Sequence, residues 1–341
     1  MNYTRTVCRL PSNRFTKSTV MELQVASFSS ELGLVVVGSS NWDICMYLPH
    51  LPSPGETVPG GRLHTHLGGK GANQAVAAIR AGAQVGFITC VGDDQPGAAI
   101  RTQFVDEGLR EDLIVIIPDC VTGSASIFID EKGENCIGLT GGANDRLDIK
   151  VLQEFDSVIG AATWLLVQLE IPLATVDHVI RMARDYGVNV ILNPAPAVSL
   201  PDHLLACVDV LTPNEGELEV LSGVRVDSDL AVQQAATVLL DKGVGAIVAT
   251  LGSRGAVHCY RDESTGIIRQ DRIPAYSVTA VDTTAAGDVF TGVLAASLSQ
   301  NASIETAIRR ASAAAAISVT AIGAIPSIPA ATVIDGFLDQ N

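Results

Sequence analysis

The chain has 341 residues, 47% of them apolar and 17% charged, which is enough to bury a substantial core and too hydrophobic for a disordered or low-complexity protein. Lys plus Arg total 22 against 37 acidic residues, a formal net charge of -15, and a surface of that sign repels nucleic-acid phosphates and anionic lipid. An anionic ligand therefore requires a local set of donors, such as a helix N-terminus or a few placed basic side chains.

The first 33 residues carry Arg5, Arg9, Arg14 and Lys17 among many Ser and Thr, and the first acidic residue is Glu22. That composition fits an organellar transit segment, and equally a flexible extension or a chain that starts at Met21. From Leu34 onward, Leu34 to Val37, Val85 to Val91, Trp164 to Val167, Asn189 to Leu192, Val208 to Leu211 and Ala246 to Thr250 read as buried strands. Between them, Asn73 to Ala81, Leu173 to Tyr186, Ala231 to Lys242 and Gly287 to Leu298 carry helical spacing. Such alternation predicts an α/β fold with a mostly parallel central sheet and helices on both faces. Two strand-like stretches interrupt it, 55–67 and 123–137, and read as a small antiparallel β-sheet lid. No Pro/Gly-rich linker divides the chain, so one large domain over 34–330 with a short tail, 331–341, is expected.

The seven cysteines are scattered, odd in number and without a CxxC pair, which fits a reducing compartment and no structural zinc. No apolar run approaches the roughly 18 to 20 residues of a membrane span. A cytoplasmic protein is expected, unless the first residues direct it to an organelle.

Clusters of Gly and polar residues fall at successive strand ends, where open α/β sheets bind ligands. Gly68-Gly69-Lys70-Gly71-Ala72-Asn73 lacks the spacing of a P-loop, and no GxGxxG follows the first strand. It offers close backbone approach with an ammonium and a carboxamide alongside, suited to a polyhydroxylated ligand; a plain glycine turn with Lys70 in solvent is the alternative. Asn41 and Asp43 follow the first strand, and Glu170 follows Trp164 to Val167; each carboxylate can accept hydroxyl protons or simply serve a loop. In Asp282-Thr283-Thr284-Ala285-Ala286-Gly287-Asp288, small residues turn into a helix whose first amides can hold a developing anion. Asp288 there is either a helix-start carboxylate or a general base. Thr212-Pro213-Asn214-Glu215-Gly216-Glu217 and Thr250-Leu251-Gly252-Ser253-Arg254-Gly255 complete the set, the latter with hydroxyls and glycines able to contact phosphate.

These clusters, with Val91-Gly92-Asp93-Asp94 and Asn193-Pro194-Ala195-Pro196-Ala197, closely resemble the ribokinase-like, PfkB-type carbohydrate kinase family, which includes adenosine kinase and minor phosphofructokinases. The resemblance spans about Leu34 to Pro329. It implies a ribokinase-like fold and ATP-dependent phosphorylation of a sugar, and the Gly-Gly-Lys-Gly-Ala-Asn form with Asn41-x-Asp43 points to ribose or a near relative. It further implies that Asn41, Asp43, Gly69, Lys70, Gly71, Ala72, Asn73 and Glu170 hold the sugar and that Asp288 deprotonates its 5-hydroxyl beside an anion hole at Ala286 and Gly287. By the same resemblance ATP lies along Asn214, the residues Thr250, Leu251, Gly252, Ser253, Arg254 and Gly255, then Gly287 and Ser312, with Glu217 acting on the Mg²⁺-water shell. Two departures stand out: the family's Gly-Ala-Gly turn is Ala285-Ala286-Gly287 here, and Ser312 replaces a common Asn or His.

The Ala-rich helix ends in a second small-residue turn, Ser318 to Ser327, whose last helical carbonyls lack intrahelical partners. The resemblance implies a K⁺ site there, formed by Asp282, Thr284, Ser318, Ala321, Gly323 and Ser327; a helix end satisfied by water is the alternative. The lid's apolar face needs cover, and a homodimer through the lid is expected. A kinase of another sugar or nucleoside, deoxyribose for example, and a catalytically silent binding relative are the competing readings.

Overall fold

The structure is a computed structural model and describes residues 32–341; the expected N-terminal extension lies outside the described residues except for its last two. The strands are β1 (Leu34–Val37), β2 (Asn41–Tyr47), β3 (Arg62–Gly68), β4 (Val85–Gly92), β5 (Ile114–Ile117), β6 (Gly123–Ile129), β7 (Asn135–Thr140), β8 (Trp164–Val167), β9 (Asn189–Leu192), β10 (Val210–Leu211), β11 (Ala246–Thr250), β12 (Ala256–Arg261) and β13 (Ile268–Ile273).

Nine of them form one sheet in the order β13-β12-β11-β10-β9-β8-β1-β4-β5. From β11 to β5 every pairing is parallel, and β12 and β13 add an antiparallel edge. Strands buried on both faces must be apolar throughout, and all four residues of β1 and all eight of β4 are buried. From β1 the chain moves outward through β4 to β5 and then returns to lay β8 on the other side of β1. That reversal opens a crevice at the carboxyl ends of β1 and β8, the usual ligand position in open α/β sheets.

Most expected elements coincide with the observed ones, and the helix Leu173–Tyr186 has the expected bounds. The strand expected from Val208 shrinks to Val210–Leu211, because the Val208 N–H is taken by the Leu205 carbonyl at the end of the preceding helical turn. Residues 331–341, expected as a tail, contain a helix, Ala331–Leu338, with Ile334 fully buried and Asp335 bonded to Arg310.

The second sheet has the order β3-β2-β6-β7. Both segments expected in the lid contribute to it, with two differences. β3 begins only at Arg62, since Pro49, Pro52, Pro54 and Pro59 precede it and proline has no N–H for a ladder. The inner strand β2 was not expected: Asn41 and Asp43 lie on a strand of this sheet and not in a loop after β1.

Helices Lys70–Arg80 and Ala286–Ser299 pack side by side over the main sheet. Their facing residues are small, Ala75, Ala77, Ala78, Ala295 and Ala296, all fully buried. At Gly292 the two backbones are so close that a Cβ would sit 2.4 Å from the Gln74 carbonyl oxygen and 2.7 Å from Ala77 Cβ. The separation of packed helices is set by the side chains between them, and here it is near the minimum. One turn before Gly292 stands Asp288, which this contact carries up against the start of the other helix.

Candidate functional site

Asp288 is buried, 7% exposed, and it does not serve as a cap for its own helix. Its two oxygens accept hydrogen bonds from the neighbouring helix, Oδ2 from Asn73 Nδ2 at 3.0 Å and Oδ1 from Gln74 Nε2 at 2.9 Å. Gln74 Nε2 also donates to Asn193 Oδ1 at 2.9 Å, while its Oε1 accepts from Gln168 Nε2 at 2.7 Å. Asn193 Nδ2 donates in turn to the Thr212 carbonyl at 2.9 Å. Of this chain of amides only Asn73 was singled out from sequence. Asn193 lay within a motif without a role, Gln74 directly follows the glycine motif, and Gln168 gave no signal beyond standing next to Val167.

A second carboxylate corner lies at the β1/β8 crevice. Glu170 Oε2 accepts from Ser39 Oγ at 2.7 Å and from the Lys70 N–H at 2.9 Å, so it closes the start of the Lys70 helix. Nearby on β2, Asp43 has its pKa pushed up to about 7 by burial and, secondarily, by the charge of Glu170. Asp43 Oδ1 and Asn73 Oδ1 are both buried without a hydrogen-bond partner. Orphaned acceptors of this kind are costly unless a ligand supplies donors. Asn41 is held differently: its Oδ1 accepts from Asn144 Nδ2 at 2.8 Å, and Asn144 also brackets Ser40 by accepting its N–H at 2.9 Å. Asn144, 2% exposed, thus pins the root of β2, a role the sequence reading missed.

The glycines before Lys70 turn out to face the chain itself. Gly69 has φ +92, open to glycine with little strain, and a Cβ there would meet Asn41 N at 2.9 Å; a Cβ on Gly68 would fall 2.0 Å from Asp43 Oδ2. Gly71 and Ala72 are buried, with the Ala72 N–H donating to Ser39 O at 2.9 Å. The close approach they allow is between backbone segments at the root of β2.

Two cavities adjoin at the N-terminus of the Ala286 helix. The smaller, about 200 Å³, is polar and includes Lys70, Asn214, Glu217 and Asp288 in its wall. The larger, about 530 Å³, runs past Gly252, Ser253 and Gly255 to Tyr276, Phe290 and Ser312. Thr250, Thr283, Ala286 and Gly287 line both. The Ala286 N–H is bonded to Thr283 O at 3.2 Å, which leaves Gly287 and Asp288 as the first-turn amides without intrahelical acceptors. A Cβ on Gly287 would meet nothing within 4 Å, so packing does not demand glycine there, whereas a bulky ligand against the backbone would. Ser312 Oγ is a buried hydroxyl without a partner. Of the expected nucleotide loop, Leu251 and Arg254 line neither cavity: Leu251 is in the core, and Arg254 turns outward to Glu215 and Asp229.

Lys70 is the ammonium in the smaller cavity. Burial alone would lower its pKa, but the charges of Asp288, Glu170 and Glu217 outweigh that and raise it. Glu217 is raised, chiefly by burial, and its two oxygens accept from the Asn214 backbone and side chain at 2.8 and 2.9 Å in a capping box. Below the helix start, Asp282 Oδ1 accepts from Thr284 N at 2.9 Å and Oδ2 from Gly323 N at 2.8 Å. Burial opposes ionisation of Asp282, yet these bonds and the Thr284 hydroxyl prevail and lower its pKa. Ser318 and Ser327 donate their hydroxyls to Ala315 and Ala324 carbonyls, and the Ala321 N–H bonds Ser318 O. Asp282 therefore joins the two small-residue turns in one oxygen-rich place, and among the described residues no cluster of His, Cys, Asp and Glu forms an all-side-chain metal site.

A family model described as pfkB family carbohydrate kinase matches residues 32–331. A curated ribokinase of Haemophilus influenzae is 43% identical over 296 residues, covering 87% of this chain and 95% of that one. A deoxyribokinase of Salmonella typhi is 35% identical over 311 residues, 91% of this chain and all of its own length. Among solved structures, the Arabidopsis thaliana ribokinase complexed with ribose and ATP superposes with a TM-score of 0.82 at 32% identity, covering 89% of this chain and 98% of that one.

The state of Asp43 has a consequence for stability. Its folded pKa, about 7, lies above the ordinary carboxylate value of 3.8, so the folded protein binds an extra proton between those values and loses stability as pH rises through that window. Asp43→Asn mimics the protonated form. It is expected to stabilise the ligand-free protein by about 2 to 4 kcal/mol at pH 8 and by less than half of that at pH 5. Thermal unfolding at the two pH values checks this; an equal change at both would assign the effect to shape and not to charge.

Proposed function

The chain belongs to the pfkB family of carbohydrate kinases, and we propose that within it this protein is a ribokinase, transferring the γ-phosphoryl group of ATP to O5 of D-ribose. The observation that carries the reading is the pairing of Asp288, a buried carboxylate held by two amides, with the open first-turn amides of the same helix. A base and an anion hole on one helix suit attack of a hydroxyl on a phosphoryl group, where positioning and charge stabilisation do most of the catalysis.

Asp43, Asn73, Lys70 and Glu170 hold the sugar, with Asn41 fixed beside them. The orphaned oxygens of Asp43 and Asn73 take hydroxyl protons. Asp288 Oδ accepts the proton of the 5-hydroxyl as that oxygen attacks the γ-phosphorus in line; the bond to the bridging oxygen breaks, and ADP leaves with the electron pair. The Gly287 and Asp288 amides, with Lys70 near them, meet the charge that develops. ATP occupies the larger cavity, with its adenine end toward Tyr276, Phe290 and Ser312 and its phosphates by Gly252, Ser253, Gly255 and Asn214. Mg²⁺ bound with ATP would screen phosphate charge, and Glu217 would face its water shell. A coupled ADP-release assay over ribose, deoxyribose, other sugars and nucleosides tests the reading. Ribose is expected to give the highest kcat/KM; preference for deoxyribose would move the assignment to the activity of the Salmonella typhi relative. Asp288→Asn should lower kcat by roughly 10² to 10⁴ with both substrates still bound, and a folded variant within a few-fold of wild type would remove Asp288 as the base.

K⁺ is proposed between Asp282-Thr284 and the turn containing Ser318, Ala321, Gly323 and Ser327. The fit is chemical: carboxylate, hydroxyl and helix-end carbonyl oxygens suit a large, weakly hydrated cation. A cation there braces the turn that presents Gly287 and Asp288. Potassium is expected to raise kcat above the rate in tetramethylammonium and above that in sodium at equal ionic strength. Equal rates in the three media would refute the site.

A homodimer through the small sheet is also proposed. Leu63, Ile137 and Leu139 are 57%, 57% and 59% exposed on its strands, and β7 is an edge strand, a combination that calls for cover. Sedimentation at micromolar concentration is expected to give the mass of two chains, and a monomer would overturn it.

A further inference from the structure

Gln74, like Asn73, lines neither cavity yet bonds the proposed base. It is 0% exposed, and all of its polar capacity is committed: both amide hydrogens go to acceptors, Asp288 Oδ1 and Asn193 Oδ1, and its oxygen accepts from Gln168. The orientation of these amides is not free. An ionised carboxylate at one end and the Thr212 carbonyl at the other can only accept, so Gln74 must present its NH₂ to Asp288 and Asn193 must present its NH₂ to Thr212. The direction of every bond between them follows.

We propose that Gln74 is a positioning residue for the general base, fixing which lone pair of Asp288 faces the substrate hydroxyl, with Gln168 and Asn193 locking Gln74 from the strand side. The inference rests on the reading of Asp288 as the base. A hydrogen bond donated to a carboxylate favours its charged form. With Asn73 occupying Oδ2 and Gln74 occupying Oδ1, the carboxylate cannot swing about its bond without losing both donors. The helix contact at Gly292 sets the spacing that makes the Gln74 bond, since Gly292 abuts the Gln74 carbonyl itself. The charged groups that influence Asp288 from the surrounding elements are Lys70 from its helix and Glu217 from the helix Glu215–Ser222, with Glu170 beyond β8 and Asp43 on β2 acting through Lys70 and each other. None of these four bonds Asp288 as Gln74 and Asn73 do.

The test is the pH dependence of the single-turnover rate at saturating ribose and MgATP, where sugar binding through Asp43 no longer limits. Gln74→Met keeps volume and removes the donor, so its rate is expected to fall roughly 10- to 100-fold with KM for both substrates within about threefold. Its acidic limb is expected to move up by about half a unit or more. Gln74→Glu, which can still accept from Gln168, places a second carboxyl against Asp288 and should move the limb further the same way; it serves as the readable variant if the methionine protein does not fold. A rate loss with an unmoved limb in a folded variant, or no rate loss at all, overturns the proposal. Asp288→Asn separates the two readings: if it stays active, the base assignment fails; if it is inactive while Gln74 variants keep the wild-type profile, only the role of Gln74 fails.

Discussion

Everything at the site depends on how closely helices Lys70–Arg80 and Ala286–Ser299 approach. Interaxial distance is set by the side chains at the contact, and the absence of one at Gly292, with alanines around it, brings Asp288 within hydrogen-bond reach of Asn73 and Gln74. A buried carboxylate without donors is driven toward its neutral form. Two amides supplied by a neighbouring helix oppose that, and they also fix its direction. The placement of this carboxylate is thus a property of a helix pair, and neither helix alone defines it.

Charge is organised locally against the protein's overall sign. A chain of formal net charge -15 collects still more acid at the crevice: Asp43, Glu170, Glu217 and Asp288 surround the single ammonium of Lys70. Lys70 stays charged because of them, and it cannot neutralise them and a nucleotide as well. The remaining favourable terms for phosphate are the open amides at the helix start and whatever cations accompany the ligand. That balance explains why small residues, and not arginines, crowd the Ala285 to Gly287 turn, and why Arg254 is free to serve a surface ion-pair cluster with Glu215 and Asp229.

The sequence was most legible where one interaction dominates. Short apolar runs marked β1, β8, β9 and β11 to the residue, because the parts of a strand buried on both faces must be apolar, with polar Asn189 and Thr250 only at strand ends. β2 escaped notice since Asn41 and Asp43 drew attention as loop residues, although Trp42 to Tyr47 pair on both sides with β3 and β6. Most of the candidate site residues could be named from motifs. What could not be read was their mutual bonding: Gln168, Asn144 and Asn193 matter through partners 94, 103 and 119 positions away, and no local pattern encodes such a distance.

The glycine run shows how a motif can be right for a reason other than the first one offered. Gly68 and Gly69 make room for Asp43 and for the backbone of β2, so the motif marks a junction of the fold. Substrate chemistry is written instead in what that junction leaves unsatisfied. The orphaned atoms on the crevice side, Asp43 Oδ1 and Asn73 Oδ1, are both acceptors, and only a ligand bearing donors can satisfy them. A second anion would meet two more acceptors and three carboxylates there, whereas hydroxyl groups meet partners at every turn. On the far side of Asp288 the order is reversed, with amides of Gly287 and Asp288 offering donors to a ligand rich in acceptors. The proposed base stands between an acceptor-lined floor and a donor-lined helix end, an arrangement that suits a polyhydroxylated ligand on one side and a phosphate-bearing one on the other.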